Sequence, residues 1–184
     1  ALLAAQEFPE RKIRCVDSEN LSTGIGLLVI EAAERASQGM GADQIADEIE
    51  ALREKVHASF VLDTLTYLHR GGRCSGLKAL SAAVLNIKPQ ITVANGKMAP
   101  TDKFRGRITR VIQRYLDKQL EDIERIDNKR VFLTYTAFTD EEVAPYVEMV
   151  RARGYFDEVF TTTAGTDISS YWGPTTLGSL FVER

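Results

Sequence analysis

Residues 62–75 read L-D-T-L-T-Y-L-H-R-G-G-R-C-S, and they join the apolar end of a strand to one helical turn and a glycine pair. Leu65 and Leu68 are three positions apart, so both can anchor the same side of a helical turn. Gly71 would end that turn, because glycine is common just after the last helical residue. Together with Gly72 it also allows positive φ and the close approach of a backbone or a ligand. The stretch predicts a tight turn around which the rest of the chain is arranged.

Two groups of basic residues lie at predicted turns. Arg70 and Arg73 bracket the glycine pair, and their forked guanidinium groups suit a carboxylate or a phosphate. Lys103, Arg105 and Arg107 precede a predicted long helix, whose first backbone N–H groups also attract anions. Each group is also compatible with a solvated turn that has no ligand. The residue types alone leave both interpretations open.

Composition bounds the class of protein. The 184 residues suffice for one domain with a core or for two small lobes. With 23 Lys and Arg against 26 Asp and Glu, the net charge of −3 does not favour a nucleic-acid partner. No apolar run reaches the roughly 20 residues that span a bilayer, so we expect no stable membrane insertion. Two distant cysteines, Cys15 and Cys74, fit reduced thiols in the cytoplasm, and a single disulfide stays open.

Periodicity and turn residues predict alternating helices and strands. Before the glycine turn we predict two helices, one ending near Ser37 and one with apolar positions from Ile45 to Val56, and two strands at 11–17 and 58–62. After it we predict helices at 77–84 and 107–124, a helix that begins with a Thr139–Glu142 capping box, and strands at 87–94, 130–136, 155–163 and 177–182. Asn95-Gly96 predicts a type I′ hairpin, and 164–176 a hydroxyl-rich loop.

Patterns typical of catalysis or metal binding are not found in the sequence. Its two histidines, His57 and His69, have no second ligand at metal-binding spacing, and no nucleophile elbow, P-loop or dinucleotide fingerprint occurs. His57, at a predicted helix end, is interpreted as a surface residue or a partner of the helix dipole. We therefore predict no catalytic residue, no metal and no cofactor.

Seven short motifs follow one another along nearly the whole chain: V-D-S at 16–18, G-I-G-L-L-V-I-E-A-A at 24–33, the stretch at 62–75, L-N-I-K-P at 85–89, N-G-K at 95–97, K-F-R-G-R at 103–107 and G-P-T-T-L-G at 173–178. In this order they resemble the DegV family of bacterial fatty-acid-binding proteins. The resemblance implies an α/β protein of two lobes: the remnant of a parallel three-layer α/β lobe at 1–57, and a two-layer α/β lobe with a mixed sheet at 58–184. The chain begins inside what reads as the tail of a helix, and the family's T-S-Q-P-type and serine-glycine loops are missing from it. We therefore expect that an N-terminal segment of the family is not part of this sequence.

The resemblance also implies a function. A DegV-like protein holds a long-chain fatty acid between its lobes and presents the carboxylate to a separate kinase of the dihydroxyacetone-kinase-like type, without performing chemistry itself. Two alternatives from other classes stay open. One is an enzyme or subunit related to the dihydroxyacetone kinases, which would need a histidine that forms an adduct with the ketone. The other is an interaction module without a ligand.

Candidate site residues follow from that resemblance. Apolar side chains of the strands and of the small helix would form the wall around the acyl chain: Phe60, Leu62, Leu80, Val84, Ile91 and Val93. The closing segment would contribute Ser170, Tyr171, Trp172 and Gly173. The family has histidine and threonine where this chain has Tyr171 and Trp172; a phenol can donate a hydrogen bond to a carboxylate but adds no positive charge. Arg70, Arg73, Arg105 and Arg107 are the expected contacts with the kinase or with phosphate.

Overall fold

The computed structural model describes residues 1–73 and 87–184. The strands in these residues are β1 (Val56–Val61), β2 (Ile87–Ala94), β3 (Lys97–Arg105), β4 (Ile126–Thr136), β5 (Glu158–Thr163) and β6 (Thr176–Glu183). The α-helices are α1 (Leu2–Gln6), α2 (Thr23–Ser37), α3 (Ala42–Leu52), α4 (Thr66–Arg70), α5 (Ile108–Gln119), α6 (Asp140–Arg151) and α7 (Thr166–Trp172). None of the described helices is both long and apolar enough to traverse a bilayer.

The six strands form one mixed sheet in the order β3-β2-β1-β6-β4-β5. Only β4 and β5 pair in parallel, and every other neighbouring pair is antiparallel. In the centre, Phe60 of β1 lies opposite Ile91 of β2 on one side and Gly178 of β6 on the other. The glycine is required there, because a Cβ at Gly178 would come within 2.8 Å of the carbonyl oxygen of Ser59. These findings confirm the expected α/β class with a mixed sheet.

Alternating side chains give each face of the sheet its own core. Helices α5 and α6 pack on one face, where the cluster includes Val61, Leu133 and Phe181. The opposite face carries Phe60 and Leu180 with side chains from α2, α3, α4 and α7. Since strand side chains alternate between faces, a single strand contributes to both cores, as Val61 and Phe60 of β1 do. The candidate site lies on the second face.

Several local predictions are confirmed in detail. Asn95 and Gly96 have φ values of 51° and 69° and connect β2 to β3 as a two-residue hairpin, as expected for a type I′ turn. In the capping box of α6, the backbone N–H of Glu142 donates to the Thr139 hydroxyl at 3.3 Å. The Thr139 N–H donates back to the Glu142 carboxylate at 2.8 Å. Short-range hydrogen bonds of this kind are encoded by a few neighbouring residues.

Four predictions of local structure were wrong. Residues 11–17 are not a strand and have no ladder partner in the described part of the chain, although their side chains alternate. Val56 belongs to β1, because α3 ends at Leu52 and a single 3₁₀ turn follows. His57 is likewise in β1 rather than at a helix end, and its ring stacks on Phe181 with centroids 4.6 Å apart. The predicted closing loop contains α7. The predicted helix at 77–84 lies outside the described residues.

The predicted boundary between residues 57 and 58 falls within β1. The apolar cluster on the second face also contains residues from both sides of it, including Leu27 and Ile49 before the boundary and Phe60 after it. The division into two lobes stays a prediction.

A cluster of charged side chains joins α2 to β4. Arg130 of β4 is only 4% exposed and donates to Glu31 at 2.8 Å, and it also contacts Glu34. Lys129 and Arg35 donate to the same Glu31, at 3.0 and 2.7 Å. Burial opposes the ionisation of Glu31, but these hydrogen bonds outweigh it and hold its pKa below the ordinary value of 4.5. Glu31 is therefore a charged link between α2 and β4.

A cluster of buried polar side chains lies between α5 and the sheet. The Tyr115 hydroxyl donates to the Ser59 carbonyl at 2.8 Å and accepts from the Ser179 N–H at 2.9 Å. Burial raises the pKa of Tyr115 to about 12, so the phenol stays neutral. Gln119 accepts from the Ser59 hydroxyl at 3.0 Å and lies 2.8 Å from the His57 ring. These side chains satisfy one another's hydrogen-bonding groups and connect β1, β6 and α5. Their role is therefore structural.

Candidate functional site

The predicted turn at residues 62–73 lies against α7. Helix α4 follows β1, anchored by the fully buried Leu68, and it ends at Gly71 as predicted. Gly72 has a φ of 69°, whereas Gly71 has a φ of −77°. Gly71 is needed for space, since a Cβ there would overlap the ring of Tyr171. The glycine pair thus supplies both functions that the sequence suggested, positive φ at one residue and close approach at the other.

A reciprocal contact locks the two short helices together. The ring of Tyr171 in α7 lies on Gly71, and the ring of Tyr67 in α4 lies on Gly173, where a Cβ would overlap it. Gly173 also has φ 72° and ψ −177°, a conformation open almost only to glycine. Two aromatic rings and two glycines therefore fix how α4 and α7 approach each other.

Trp172 explains why the closing segment is helical. Its side chain is 2% exposed and stacks on Phe60 with ring centroids 4.5 Å apart. A helix from Thr166 turns Trp172 into the core and leaves Ser170 exposed. The hydroxyl-rich composition that predicted a loop reflects only the outer side of this helix: Ser170 donates to the Asp167 carbonyl at 2.6 Å. Burial of the indole outweighs the weak helix propensity of the serines.

A cavity of about 750 Å³ opens between α4, α7, the β2–β3 hairpin and the segment before α2, and we refer to it as the α4–α7 cavity. This volume lies in the range of about 300–1,000 Å³ usual for small-molecule sites. Its apolar lining consists of Leu21, Leu68, Val93, Met98, Ile168 and Trp172. Its polar lining consists of Asp17, Glu19, Asn20, Arg73, Asn95, Lys97, Asp167 and Tyr171, with Gly72 and Gly96. A lining that combines apolar and charged side chains suits a ligand that has an apolar chain and a polar end.

The predicted wall residues divide between this cavity and the core beneath it. Val93 lines the cavity directly, together with Tyr171 and Trp172 of the closing segment. Phe60, Leu62 and Ile91 are at most 1% exposed and belong to the core on the same face. Gly173 is buried at the end of α7. Leu80 and Val84 lie outside the described residues. The assignment of these side chains to an acyl wall stays a prediction.

The four predicted arginines are found in two places. Arg73 lines the α4–α7 cavity, and Arg70 is exposed at the end of α4. Arg105 and Arg107 line a separate arginine depression at the start of α5, which covers the other face of the sheet. The depression is formed by Arg105, Gly106, Arg107, Arg110, Gln113 and Arg114.

Sequence analysis did not identify Arg110 and Arg114 as members of this depression. Their spacing of four along α5 was the available signal, because residues four apart share one side of a helix. The guanidinium of Arg114 also lies 5.7 Å from the Phe104 ring centroid and donates to the Arg105 carbonyl. In the described residues, no carboxylate lies within 4.0 Å of the guanidinium groups of Arg105, Arg107, Arg110 and Arg114. The depression is therefore a concentrated positive surface.

Within residues 1–73 and 87–184, no three His, Cys, Asp or Glu side chains are grouped as metal ligands would be.

The chain matches in full, over residues 1–184, the family model described as "uncharacterised protein, DegV family". A DegV domain-containing protein of Caldanaerobacter subterraneus subsp. tengcongensis is 28% identical over 185 residues, which cover 100% of this chain and 65% of the relative. One from Streptococcus pyogenes is 30% identical, over 99% of this chain and 62% of its own length. The chain thus spans less than two thirds of these relatives.

Several solved structures of the same architecture are described as fatty acid binding or as loaded with a fatty acid. A DegV family protein of Thermus thermophilus, described for its fatty acid binding, has a TM-score of 0.82 and 29% identity over 100% of this chain and 65% of its own. DegV of Bacillus subtilis, described as a fatty acid binding protein, has a TM-score of 0.84 and 27% identity, with coverage of 100% and 65%. The Streptococcus pneumoniae Fatty Acid Kinase B3 protein, loaded with linoleic acid, has a TM-score of 0.83 and covers 100% of this chain and 64% of its own, but its 20% identity indicates the fold alone.

Proposed function

This chain belongs to the DegV family, and from that premise we propose that it binds a long-chain fatty acid in the α4–α7 cavity and presents the carboxylate to a separate kinase. The phosphoryl transfer belongs to the partner, and the carrier works in the cytoplasm. The observation that carries the proposal is the cavity itself. It lies on the sheet face that holds Phe60 and Ile91 and opens beside Tyr171, where the polar mouth of an acyl site was expected.

The cavity lining supports an amphipathic ligand. Met98, Ile168 and Leu68 offer apolar contact to an acyl chain, and each methylene removed from water contributes about 0.8 kcal/mol. Methionine adapts its side chain to ligands of different shape, which suits a site for flexible chains. Arg73, Lys97 and Asp167 of the lining are exposed, so a carboxylate bound beside them would stay accessible to a second protein.

The kinase partner is supported by a relative and by the arginine depression. The Streptococcus pneumoniae protein of the same fold is described as a Fatty Acid Kinase B3 protein. In this chain the depression gathers Arg105, Arg107, Arg110 and Arg114 with no carboxylate of the described residues within 4.0 Å, and it would attract an acidic or phosphate-bearing surface. We place the kinase-docking surface there.

Native mass spectrometry of the full-length protein, purified from its own cells, tests the lipid-binding proposal. We expect a co-purifying mass of one long acyl chain per protein. Met98→Trp should fill the cavity and reduce the lipid-bound fraction at least severalfold, because Met98 is partly buried and lines the cavity. Val29→Trp is the matched control, since Val29 is 60% exposed on α2 and lies outside this cavity. Protein without lipid, or equal lipid in both folded variants, would contradict the proposal.

A further inference from the structure

The charges that line the α4–α7 cavity lie in two groups. At the hairpin end, Lys97 shares the lining with Asp17 and Glu19, and Glu19 is paired with Arg53 at 3.4 Å. At the end formed by α4 and α7, the charged groups among the described lining residues are Arg73 and Asp167. Asp17 offsets the attraction of Lys97 for an anion, as Asp167 does for Arg73. How firmly each cation is held therefore decides which end suits an acidic head group.

The Arg73 side chain is held in position by Tyr171. Its guanidinium carbon lies 5.5 Å from the centroid of the Tyr171 ring, within the distance of a cation–π contact. The ring in turn is seated on Gly71, which leaves it no space to withdraw on that side. A guanidinium on an aromatic face keeps its N–H edges free for a carboxylate, which can accept two parallel hydrogen bonds.

Asp167 acts in the opposite direction. It lies four residues before Tyr171 in α7, so the two side chains share one side of the helix, and both line the cavity. A carboxylate there repels an anionic head group and has little effect on a neutral one of the same length.

We propose that Arg73, positioned by Tyr171, binds the head group, and that Arg73 and Asp167 together set how strongly this site prefers an acid to a neutral lipid. This inference rests on the proposed function and assigns the polar end of the ligand to the α4–α7 end of the cavity. It makes Arg73 a ligand contact, separate from the arginine depression on the other face of the sheet.

The experiment compares stearic acid with stearyl alcohol, which has the same length but no charge. Dissociation constants are measured on delipidated full-length protein by displacement of a fluorescent fatty-acid analogue, at a pH well above the pKa of the acid. Arg73→Gln should lower the ratio of alcohol to acid dissociation constants about tenfold, because a hydrogen-bonded charge is lost. Arg73→Lys should lower it less, since the charge remains but the fork does not. Asp167→Asn should raise the ratio about twofold.

Lys97→Gln is the comparison variant, because it removes the other cation among the described lining residues and should lower the ratio much less than Arg73→Gln does. Loss of the acid preference in Lys97→Gln but not in Arg73→Gln would overturn the assignment and place the head group at the hairpin end. Equal weakening of acid and alcohol by Arg73→Gln would also overturn it, since the side chain would then act only through packing. If the wild-type protein binds neither lipid, the proposed function itself fails.

Discussion

The reciprocal contact between α4 and α7 leads to a prediction about the free energy of unfolding. Gly71→Ala should lower it in the otherwise wild-type protein and raise it once the Tyr171 ring is removed. Gly71→Ala places a Cβ into the ring of Tyr171, and Gly173→Ala places one into the ring of Tyr67. Overpacking of this kind costs about 1–3 kcal/mol. The two glycines differ in backbone conformation, however: Gly71 has a φ of −77°, whereas Gly173 has a φ of 72°.

The conformational difference fixes the expected magnitudes. Alanine tolerates the backbone of Gly71, and replacing glycine at a compatible position stabilises by about 0.4–1 kcal/mol through the unfolded chain. Gly71→Ala should therefore cost about 0–2.5 kcal/mol alone, and it should become stabilising by about 0.4–1 kcal/mol once Tyr171→Ala removes the ring. Gly173→Ala adds strain of about 1–3 kcal/mol to its overlap. It should stay destabilising by about 1–3 kcal/mol even in the Tyr67→Ala background.

Urea unfolding of delipidated protein, followed by circular dichroism, measures the four single variants and the two pairs as double-mutant cycles. Each variant must retain the wild-type dependence of the unfolding free energy on urea concentration, so that a shift of the unfolding midpoint reports a change in stability alone. Gly71→Ala that remains equally destabilising without the Tyr171 ring would show that the ring is not its obstacle. Rescue of Gly173→Ala to wild-type stability by Tyr67→Ala would refute the argument from φ.

Two further predictions concern the charged surfaces. Arg105→Glu should leave the lipid content unchanged and raise the KM of the partner kinase for the loaded protein severalfold, with a weaker salt dependence, in a coupled phosphorylation assay; Arg11→Glu, an exposed reversal elsewhere, should change neither. The folded-state pKa of Glu31 lies below its ordinary 4.5, because hydrogen bonds from Arg35 and Lys129 outweigh its burial. Its stabilisation is therefore complete above pH 4.5 and is lost as the pH falls through the folded-state pKa. Glu31→Gln should be less stable than wild type at neutral pH, and the gap should shrink in acid, as measured by urea unfolding.

Each of these two predictions has a result that would contradict it. Equal kinase KM for Arg105→Glu and wild type would remove the arginine depression from the docking surface. A gap between Glu31→Gln and wild type that stays constant from neutral pH into acid would mean that the charge of Glu31 contributes nothing. Glu48→Gln serves as the comparison, because Glu48 also pairs with Arg35, at 2.8 Å, but is more exposed and should show a smaller pH effect.

Features that depend only on neighbouring residues could be predicted from the sequence. The Thr139–Glu142 capping box and the Asn95-Gly96 hairpin were predicted because each needs only a few side chains and dihedral angles close in the chain. The helical turn that ends at Gly71 belongs to the same class. The order of motifs along the chain likewise indicated the family before any contact was known. Where a local pattern lacked a tertiary partner, as at residues 11–17, the prediction failed.

How distant segments meet depends on the packing of the folded chain and could not be predicted from the sequence. Trp172 enters the core because Phe60 lies beneath it, and that burial turns a hydroxyl-rich segment into α7. The placement of Tyr171 on Gly71, and of Arg73 over the same ring, depends on two helices far apart in the chain. Propensities and periodicity describe each segment separately, whereas a cavity exists only between segments, and its lining follows from packing that no single stretch encodes.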